Sequence, residues 1–577
     1  MSQLEHVSRS VTAQFERPWL KNYPACVPHS LEYPQEPVSW LLERAAARWP
    51  DRPGCIYYDQ QLTFSELASH ARRVAAWLVK QGVQPGDRVG LLLPNTPEFI
   101  YCLNGIWMAG ATAVALSPLF VAEEAEAFVK TTDCRIVITL DVLAPLITSG
   151  THQPETVVYS SLGDRLSRLE SFGYAWVRFM RLGFRGVGPT GKCIQLDEIL
   201  EAGKQHEDAF EPVSVSPTDR AYILPTGGTT SAPKAVTLSH ANLMANAWQL
   251  CHWSGNRAGQ ETLLAVLPFF HSYGLSTCLT NGAALGATLI LHHRFRTASV
   301  IRLIQEHEPT VFPAVPAMLA ALNPVLAKLN SAKLRSIRAV ISGGAPLPKL
   351  VAERFSDLTG AEVVEGYGLS EASPVTHSGP LNGTAIAGTI GLPLPDTDAK
   401  IVDVATGTEA LPYGEVGELM VRGPQVMMGY WNDPERTEAA LQDGWLRTGD
   451  LATCDENGFF RIVDRKKDLI ITSGFNVYPV DVEEVLRGYP GVKDVAVVGV
   501  PDENKGELVK AIFVMDSGQS LDRHDLDAFC RKHLAAHKKP RIVEERTEDL
   551  PRNFLGKVLR RELREDSMKS SPDATAS

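Results

Sequence analysis

The chain has 577 residues, of which 44% are hydrophobic and 21% charged, and its formal net charge is −11. This length exceeds what one hydrophobic core supports, so we expect a soluble globular protein of two or more domains. The negative charge argues against a general nucleic-acid-binding protein, which needs a basic surface. The nine cysteines are scattered without a Cys-x-x-Cys pair, which favours a reducing compartment over a disulfide framework or a zinc site.

Targeting and membrane-spanning segments are not expected. The N-terminal sequence has no basic segment followed by an apolar one, so no secretory signal is predicted. The longest apolar stretch, Cys102 to Leu116, is shorter than the roughly 18 residues that a spanning helix needs. These features predict a cytoplasmic protein.

Up to about residue 400, short apolar runs alternate with amphipathic helical patterns. Runs such as Val89–Leu93 and Ala339–Ile341 are typical of buried parallel strands, whereas Phe64–Gln81 and Thr297–Glu308 have helical spacing. The alternation predicts an α/β fold with parallel sheets in a large N-terminal domain. From residue 397 to 464, short strands and turns predict a smaller β-rich subdomain.

A charge run at residues 464–468 precedes a second series of elements. Together these elements predict a small α+β C-terminal domain. The polar residues 567–577 predict a disordered tail. The predicted helices and strands of the small domain are Glu483–Arg487, Val495–Val500, Ala511–Val514 and Asp522–Leu534.

An insertion at residues 165–185 has an amphipathic helical pattern with a basic side. Basic amphipathic helices that carry Trp and Phe can lie in a membrane interface. The alternative is a helix docked on the core of the protein itself, and this second interpretation is favoured. The apolar side consists of Leu166, Leu169, Phe172, Trp176, Phe179 and Met180, and the basic side of Arg178, Arg181 and Arg185.

The segment Tyr222–Lys234 is the most informative part of the sequence. Between Thr226 and Lys234 it contains two glycines, three threonines, a serine and a lysine, directly after an apolar run. Glycines bring backbone N–H groups close to an anion, hydroxyls add donors, and lysine adds a compact positive charge. The segment therefore predicts a polyphosphate-binding loop. It is not a Walker A loop, because Pro233 precedes the lysine and Ala235 follows it.

Four further segments are compatible with nucleotide binding. Ser342–Leu347 is a strand-to-turn junction, and Glu365–Glu371 has an aromatic ring between glycines and then a carboxylate suited to Mg²⁺. Gly444–Asp450 ends in an acid that can bind ribose hydroxyls, and Pro551–Lys557 ends in a second lysine. Taken singly, each of these segments also fits an ordinary turn.

In this order, the motifs resemble those of the adenylate-forming superfamily of acyl-CoA synthetases, nonribosomal adenylation domains and luciferases. The resemblance covers residues 15 to 566. It includes the acyl-pocket motif at Leu267–His271, a Tyr-Gly-x-Thr-Glu motif with Ser370 in place of Thr, and a hinge motif at Asp464–Lys467. Within the superfamily, the chain is most similar to bacterial long-chain fatty-acid–CoA ligases.

The resemblance implies a reaction and a domain division. ATP would activate a medium- or long-chain fatty acid to an acyl-adenylate, and coenzyme A would then take the acyl group, giving acyl-CoA, AMP and pyrophosphate. The N-terminal adenylation domain would span residues 1–464 and the hinge residues 465–467. The mobile C-terminal domain would span residues 468–566, followed by the tail at 567–577.

The resemblance also implies the site residues. Lys557, Glu371, Thr226 and Lys234 would be catalytic, and Glu371 with Thr226 would bind Mg²⁺. His271 and Leu275 would line the acyl pocket. The residues implied for ATP and coenzyme A are Thr226, Gly227, Gly228, Thr229, Thr230, Ser231, Lys234, Gly343, Gly344, Ala345, Glu365, Gly366, Tyr367, Gly368, Ser370, Asp450, Arg465, Ser473 and Gly474.

Several alternatives stay open at this point. Ser231 and Ala235 stand where the superfamily usually has glycine, which puts the ATP site in question. The acceptor could be an acyl carrier protein, the acid could be aryl, dicarboxylic or pathway-specific, or the chain could be a non-catalytic relative. A peripheral contact of residues 165–185 with the inner face of the membrane, a homodimer and regulatory acetylation of Lys557 are further hypotheses.

Overall fold

The computed structural model describes residues 16–163, 168–182, 192–205, 210–226, 234–329, 332–473, 475–502, 505–552 and 556–569. Within these residues the chain forms two large, mainly parallel sheets, one smaller antiparallel sheet and one C-terminal mixed sheet. The predicted α/β fold with a separate α+β C-terminal domain is confirmed.

The first sheet has nine strands within the described residues, and its six central strands run parallel. Its antiparallel edges come from a hairpin at one side and from two strands at the other. In spatial order the strands are Leu392–Pro393, Val375–Ser378, Glu362–Gly368, Ala339–Ser342, Val311–Ala314, Thr262–Ala265, Thr288–Leu291, Pro53–Tyr57 and Gln60–Thr63.

The second sheet has eight strands within the described residues. Six are parallel, and the hairpin that carries the predicted phosphate loop adds an antiparallel strand, which pairs in turn with a two-residue strand. In spatial order the strands are Gly429–Tyr430, Lys234–Ser239, Arg220–Thr226, Thr112–Ala115, Arg88–Leu92, Ile136–Leu140, Thr156–Ser160 and Lys192–Gln195.

The predicted β-rich subdomain is an antiparallel sheet of Asp398–Val402, Gly417–Arg422, Trp445–Cys454, Leu441–Gln442 and Phe460–Arg465. The mixed sheet of the C-terminal domain consists of the strands Phe475–Val477, Ile470–Thr472, Gly506–Met515, Val492–Asp502 and Ile542–Arg546. The two domains contact each other near the predicted hinge, where the backbone N–H of Val480 donates to Asp464 Oδ2 at 3.0 Å.

Helices cover the sheets, and their sequences explain where they begin. For example, Thr63 and Glu66 form a reciprocal cap at the start of the helix Phe64–Lys80. The other α-helices within the described residues are Trp40–Arg48, Pro97–Met108, Ala122–Thr132, Pro145–Thr148, Arg168–Leu182, Leu196–Gly203, His240–Trp253, Ser272–Gly274, Asn281–Leu285, Thr297–His307, Pro316–Leu326, Lys349–Thr359, Pro434–Ala440, Pro479–Leu486, Arg523–His533 and Arg560–Lys569.

The apolar stretch near residue 102 forms part of the core. Every residue of the helix Pro97–Met108 is buried, and the helix packs against Phe64–Lys80. Among the described residues, none of the helices has the length and apolar character needed to cross a membrane.

One expectation needs correction. The tail was expected from Ser567, but the helix Arg560–Lys569 includes this residue because its buried hydroxyl bonds the Leu563 carbonyl and accepts from Lys510; residues 570–577 lie outside the described part. The insertion helix Arg168–Leu182 forms and packs on the core through Tyr174, as the favoured interpretation expected, but Phe172 and Trp176 of its predicted apolar side are exposed.

Candidate active site

The predicted phosphate loop joins two antiparallel strands of the second sheet. Thr226 ends one strand and Lys234 begins the next, and the two residues are paired across the hairpin. The Thr226 hydroxyl donates to the Lys234 carbonyl with an O–O distance of 3.4 Å. The structure therefore describes both ends of the loop. Its predicted donors Gly227, Gly228, Thr229, Thr230 and Ser231 lie outside the described residues.

Tyr430 connects Lys234 with Glu371, a contact that the sequence analysis missed. The strand Gly429–Tyr430 pairs with the strand that begins at Lys234. The Tyr430 ring centroid lies 4.7 Å from Lys234 Nζ, and the Tyr430 hydroxyl donates to Glu371 Oε1 at 2.9 Å. Burial and the Glu371 carboxylate raise the pKa of Tyr430 above its ordinary value, so the hydroxyl keeps its proton. No local pattern marks Tyr430, because both partners are distant in sequence.

Asp450 lies between Tyr367 and Arg465. The Tyr367 hydroxyl donates to Asp450 Oδ2 at 2.5 Å, and Arg465 Nε donates to Asp450 Oδ1 at 2.6 Å. Arg465 is the cross-strand partner of Asp450 in the β-rich subdomain, whereas Tyr367 belongs to the first sheet. Three predicted site residues thus meet where two sheets adjoin. Because each carboxylate oxygen has two lone pairs, Asp450 can accept further hydrogen bonds from a ligand.

The glycine-rich turn after the strand Ala339–Ser342 lies close to the aromatic motif. A Cβ added to Gly343 would lie 2.9 Å from the Tyr273 ring and 3.1 Å from the Gly366 carbonyl, so glycine keeps this gap open. Gly344 has a φ of +80°, which favours glycine. A Cβ on Gly368 would lie 2.1 Å from the Pro374 carbonyl. The half-buried Ala345 follows in this turn, and Ser370 Oγ lies 3.1 Å from Ser272 Oγ.

Glu365 lines a cavity of about 200 Å³ at this end of the first sheet. Burial raises the pKa of Glu365 to about 7, although a hydrogen bond from the Leu347 backbone opposes the shift. Gly379 and Thr389 line the same cavity. A carboxyl group that titrates near neutral pH can either accept or donate a hydrogen bond there.

Lys557 extends from the C-terminal domain toward Asp450 and Arg465. Burial and the positive charge of Arg465 lower the pKa of Lys557 to about 8, and the Asp450 charge opposes this shift. The preceding Gly556 has a φ of +81° and packs on the N-terminal domain, because a Cβ added to it would lie 3.0 Å from Ala317 Cβ. The structure therefore brings the predicted catalytic lysine to the predicted ribose-binding residues across the domain boundary.

The predicted acyl-pocket residues His271 and Leu275 lie beside the first sheet. His271 Nδ1 accepts from the Tyr273 backbone N–H at 3.2 Å, and burial lowers the pKa of His271 to about 4, so its ring is neutral at pH 7. Leu275 is fully buried and begins a π-helical segment, Leu275–Thr280. Such segments frequently occur at functional sites, and no sequence pattern indicated this one.

The predicted coenzyme A residues are described only in part. Ser473 is exposed and has a φ of +50°, and its backbone N–H donates to the Lys505 carbonyl at 2.7 Å. Gly474 lies outside the described residues. Ser473 therefore directly follows the strand Ile470–Thr472, which lies inside the sheet of the C-terminal domain between Phe475–Val477 and Gly506–Met515.

Comparisons with known proteins agree with this architecture. Residues 42–431 match the model of the AMP-binding enzyme family, and residues 481–557 match its C-terminal domain. The first match covers more than half of the chain, so the protein belongs to the AMP-binding enzyme family. Both domains inferred above thus correspond to domains of this family.

Individual relatives are similar over nearly the whole chain. The chain is 39% identical to a long-chain-fatty-acid–CoA ligase of Bacillus subtilis, over 96% of this chain and 99% of that protein. It is 34% identical to a feruloyl-CoA synthase of Amycolatopsis, over 91% and 98%. A solved structure of the Bacillus subtilis O-succinylbenzoate coenzyme A synthetase in complex with ATP and magnesium ion has a TM-score of 0.73 and 29% identity, over 92% of this chain and 100% of that chain.

Proposed function

We propose that the protein is an AMP-forming long-chain fatty-acid–CoA ligase that uses ATP, Mg²⁺ and coenzyme A. One observation carries this proposal: Gly556 of the C-terminal domain packs on Ala317 of the N-terminal domain, and the adjoining Lys557 is there within electrostatic reach of Asp450 and Arg465. This arrangement supports a nucleotide site completed by both domains. The similarity to a long-chain-fatty-acid–CoA ligase over nearly the full chain supports the identity of the acid.

In the first half-reaction, a carboxylate oxygen of the fatty acid attacks the α-phosphorus of ATP. The bond from the α-phosphorus to the oxygen that bridges to the β-phosphate breaks, and pyrophosphate leaves. Negative charge is spread over phosphate oxygens in the transition state, so catalysis needs positive charge and positioning. Lys557 and Lys234 provide this charge, while Asp450 and Arg465 hold the ribose.

The donor set at Glu371 fits a magnesium ion. Carboxylate and hydroxyl oxygens are hard ligands, and Mg²⁺ usually takes one or two protein ligands together with phosphate oxygens and water. Within the described residues there is no cluster of three or more His, Cys, Asp or Glu side chains that could hold a metal by itself. Glu371 and Thr226 would hold Mg²⁺, which would neutralise phosphate charge.

In the second half-reaction, the thiol of coenzyme A attacks the acyl carbonyl, loses its proton and displaces AMP. Lys557 has no role in this step, and its domain must move to admit the thiol. The predicted pivot is Lys467, which lies between the last strand of the β-rich subdomain and the first strand of the C-terminal domain. Ser473 and Gly474 would then line the path of the thiol.

The experiment measures release of AMP with and without coenzyme A over a panel of acids from short to long chain length. We expect AMP release that depends on coenzyme A and is greatest for long-chain acids. Lys557→Ala should greatly reduce ATP–pyrophosphate exchange but should spare thioester formation from supplied acyl-adenylate. The matched control is Lys532→Ala, because this lysine is exposed on a helix of the same domain.

Equal loss of both half-reactions in Lys557→Ala would contradict the role of this lysine. Absence of exchange with every acid, from protein with an intact melting transition, would reject the ligase activity and favour a non-catalytic relative. The same result would indicate that Ser231 and Ala235, which stand where the superfamily usually has glycine, weaken the ATP site.

A second candidate is a ligase for an aryl acid. The similarity to a feruloyl-CoA synthase at 34% identity favours it. Including ferulate in the acid panel distinguishes a fatty-acid ligase from an aryl-acid ligase. Replacing coenzyme A with an acyl carrier protein tests whether a carrier protein is the acyl acceptor instead. A homodimer and regulatory acetylation of Lys557 stay predictions.

A further inference from the structure

The helix His240–Trp253 carries two amide side chains that lie deep in the core. Asn246 and Gln249 are both 0% exposed, and they share one face of the helix because they are three residues apart. Burying an amide is costly unless its hydrogen bonds are made inside the protein. The hydrogen-bond partners of Asn246 therefore indicate its role.

Asn246 takes the place of a neighbouring strand beside Val375. Its Nδ2 donates to the Val375 carbonyl at 2.8 Å, and the Val375 backbone N–H donates to Asn246 Oδ1 at 3.3 Å. The strand Leu392–Pro393 pairs with the Val375 strand further along, at His377 and Ser378. One side-chain amide thus satisfies both backbone groups of Val375.

Val375 supports the aromatic motif of the nucleotide site from behind. The strand that begins at Val375 pairs with the strand that carries this motif, and Tyr367 lies opposite His377. Gly368 lies opposite Val375 instead of the residue next to His377, so the register shifts by one residue between the two pairs. Such a bulge disrupts the ladder and re-aims the adjoining side chains. Holding Val375 in place therefore fixes the backbone that aims the Tyr367 ring.

The second partner of Asn246 belongs to the predicted acyl pocket. Ser276 Oγ donates to Asn246 Oδ1 at 2.7 Å, and Ser276 is 1% exposed. Ser276 directly follows Leu275 in the π-helical segment Leu275–Thr280. This bond joins the segment to a different helix, so it fixes the position of Leu275 relative to Val375.

We propose that Asn246 is a positioning residue that couples the acyl pocket to the nucleotide site. Its oxygen holds the segment that begins at Leu275, and its amide group holds Val375 behind Gly368. Because Asn246 is fully buried, it acts through these groups. The kinetic part of this proposal rests on the ligase activity proposed above.

The first test compares KM for the acid with KM for ATP in ATP–pyrophosphate exchange. Ser276→Ala removes one buried hydrogen bond on the acyl side, so KM for palmitate should rise about fivefold while KM for ATP changes less than about twofold. Asn246→Ala removes the bonds to both sides and should raise both KM values about tenfold. The matched control is Ser254→Ala, because Ser254 is also buried but donates to the Cys251 carbonyl beside the end of the same helix.

A double variant distinguishes positioning from a general loss of stability. If Ser276 acts through Asn246, adding Ser276→Ala to Asn246→Ala should raise KM for palmitate no further. Multiplicative effects of the two changes would overturn the proposal. An unchanged KM for palmitate in Ser276→Ala, or an equal rise in Ser254→Ala, would also overturn it.

Amide hydrogen exchange gives a second readout that does not need catalysis. The peptide that contains Leu275–Thr280 should exchange its amide hydrogens about tenfold faster in Ser276→Ala and at the wild-type rate in Ser254→Ala. An unchanged rate in Ser276→Ala would overturn the proposal even if Asn246→Ala does not fold. Wild-type protein without pyrophosphate exchange toward any acid would instead reject the ligase function, and the hydrogen-exchange result would still decide whether Asn246 holds this segment.

Discussion

The pH dependence of the first half-reaction tests the placement of Lys557. Burial and Arg465 lower the pKa of Lys557 to about 8, and the ammonium form is the one that neutralises phosphate charge. With this pKa, about nine-tenths of the lysine is charged at pH 7 and about one-tenth at pH 9. We therefore expect kcat/KM for ATP in pyrophosphate exchange to fall about tenfold between these pH values.

The assay is ATP–pyrophosphate exchange at low ATP concentration, because kcat/KM reports the pKa of the free enzyme. Lys557→Arg should remove the decline near pH 8, although its overall rate is lower, because arginine stays charged throughout this range. Arg465→Gln should move the decline to higher pH, since a like charge is lost while the Asp450 charge stays.

Two outcomes would refute this account. One is a wild-type profile that is flat up to pH 9.5 or higher, which would mean that Lys557 is not desolvated in the free enzyme. The other is an unchanged decline near pH 8 in Lys557→Arg, which would assign the titration to another group.

Three further changes have defined outcomes. Tyr430→Phe removes the hydrogen bond to Glu371 but keeps the ring, so KM for Mg·ATP should rise about fivefold in steady-state kinetics. Asp450→Asn should reduce the preference for ATP over 2′-deoxy-ATP about tenfold in exchange assays, because a charged acceptor for ribose hydroxyls is lost. Arg560→Met leaves the buried carboxylate of Glu483 without its two 2.9 Å bonds, so the free energy of unfolding in urea should fall by about 3 kcal/mol.

The first and third of these changes have a matched control variant. Tyr413→Phe alters an exposed tyrosine and should leave KM unchanged, and Arg561→Met breaks an exposed pair with Glu565 and should cost less than about 1 kcal/mol. An unchanged KM in Tyr430→Phe would show that the hydroxyl does not position Glu371. Equal use of ATP and 2′-deoxy-ATP by the wild type would contradict the proposal that Asp450 binds the ribose hydroxyls.

Local patterns predicted most secondary structure because helices and strands follow the spacing of apolar residues. The pattern at Phe64–Gln81 predicted the helix Phe64–Lys80 to within one residue, and the run Ala339–Ile341 predicted a buried strand. The ends of helices and strands were predicted less accurately where tertiary contacts decide them. The last helix extends to Lys569 because Ser567 finds buried partners, and the polar composition of this segment could not show that.

Some residues of the candidate site were predicted from the sequence and others were not, again because tertiary contacts are not visible in local patterns. Glu371, Asp450 and Lys557 lie in motifs whose glycines and charges are visible in the sequence. Tyr430 was missed because its role depends on a strand pairing that places it against Lys234. Long-range pairing of this kind is set by tertiary packing and not by local spacing.

By itself, the sequence determined the family resemblance, the α/β architecture and the existence of an amphipathic helix near residue 175. Only the tertiary structure decided which side of that helix faces the protein. Periodicity separates an apolar stripe from a polar one but does not assign either to the interior. Here the cost of burying the Asp141 carboxylate decides the outcome, because Tyr174 and Arg178 must turn inward to bond it and Trp176 is then left in solvent.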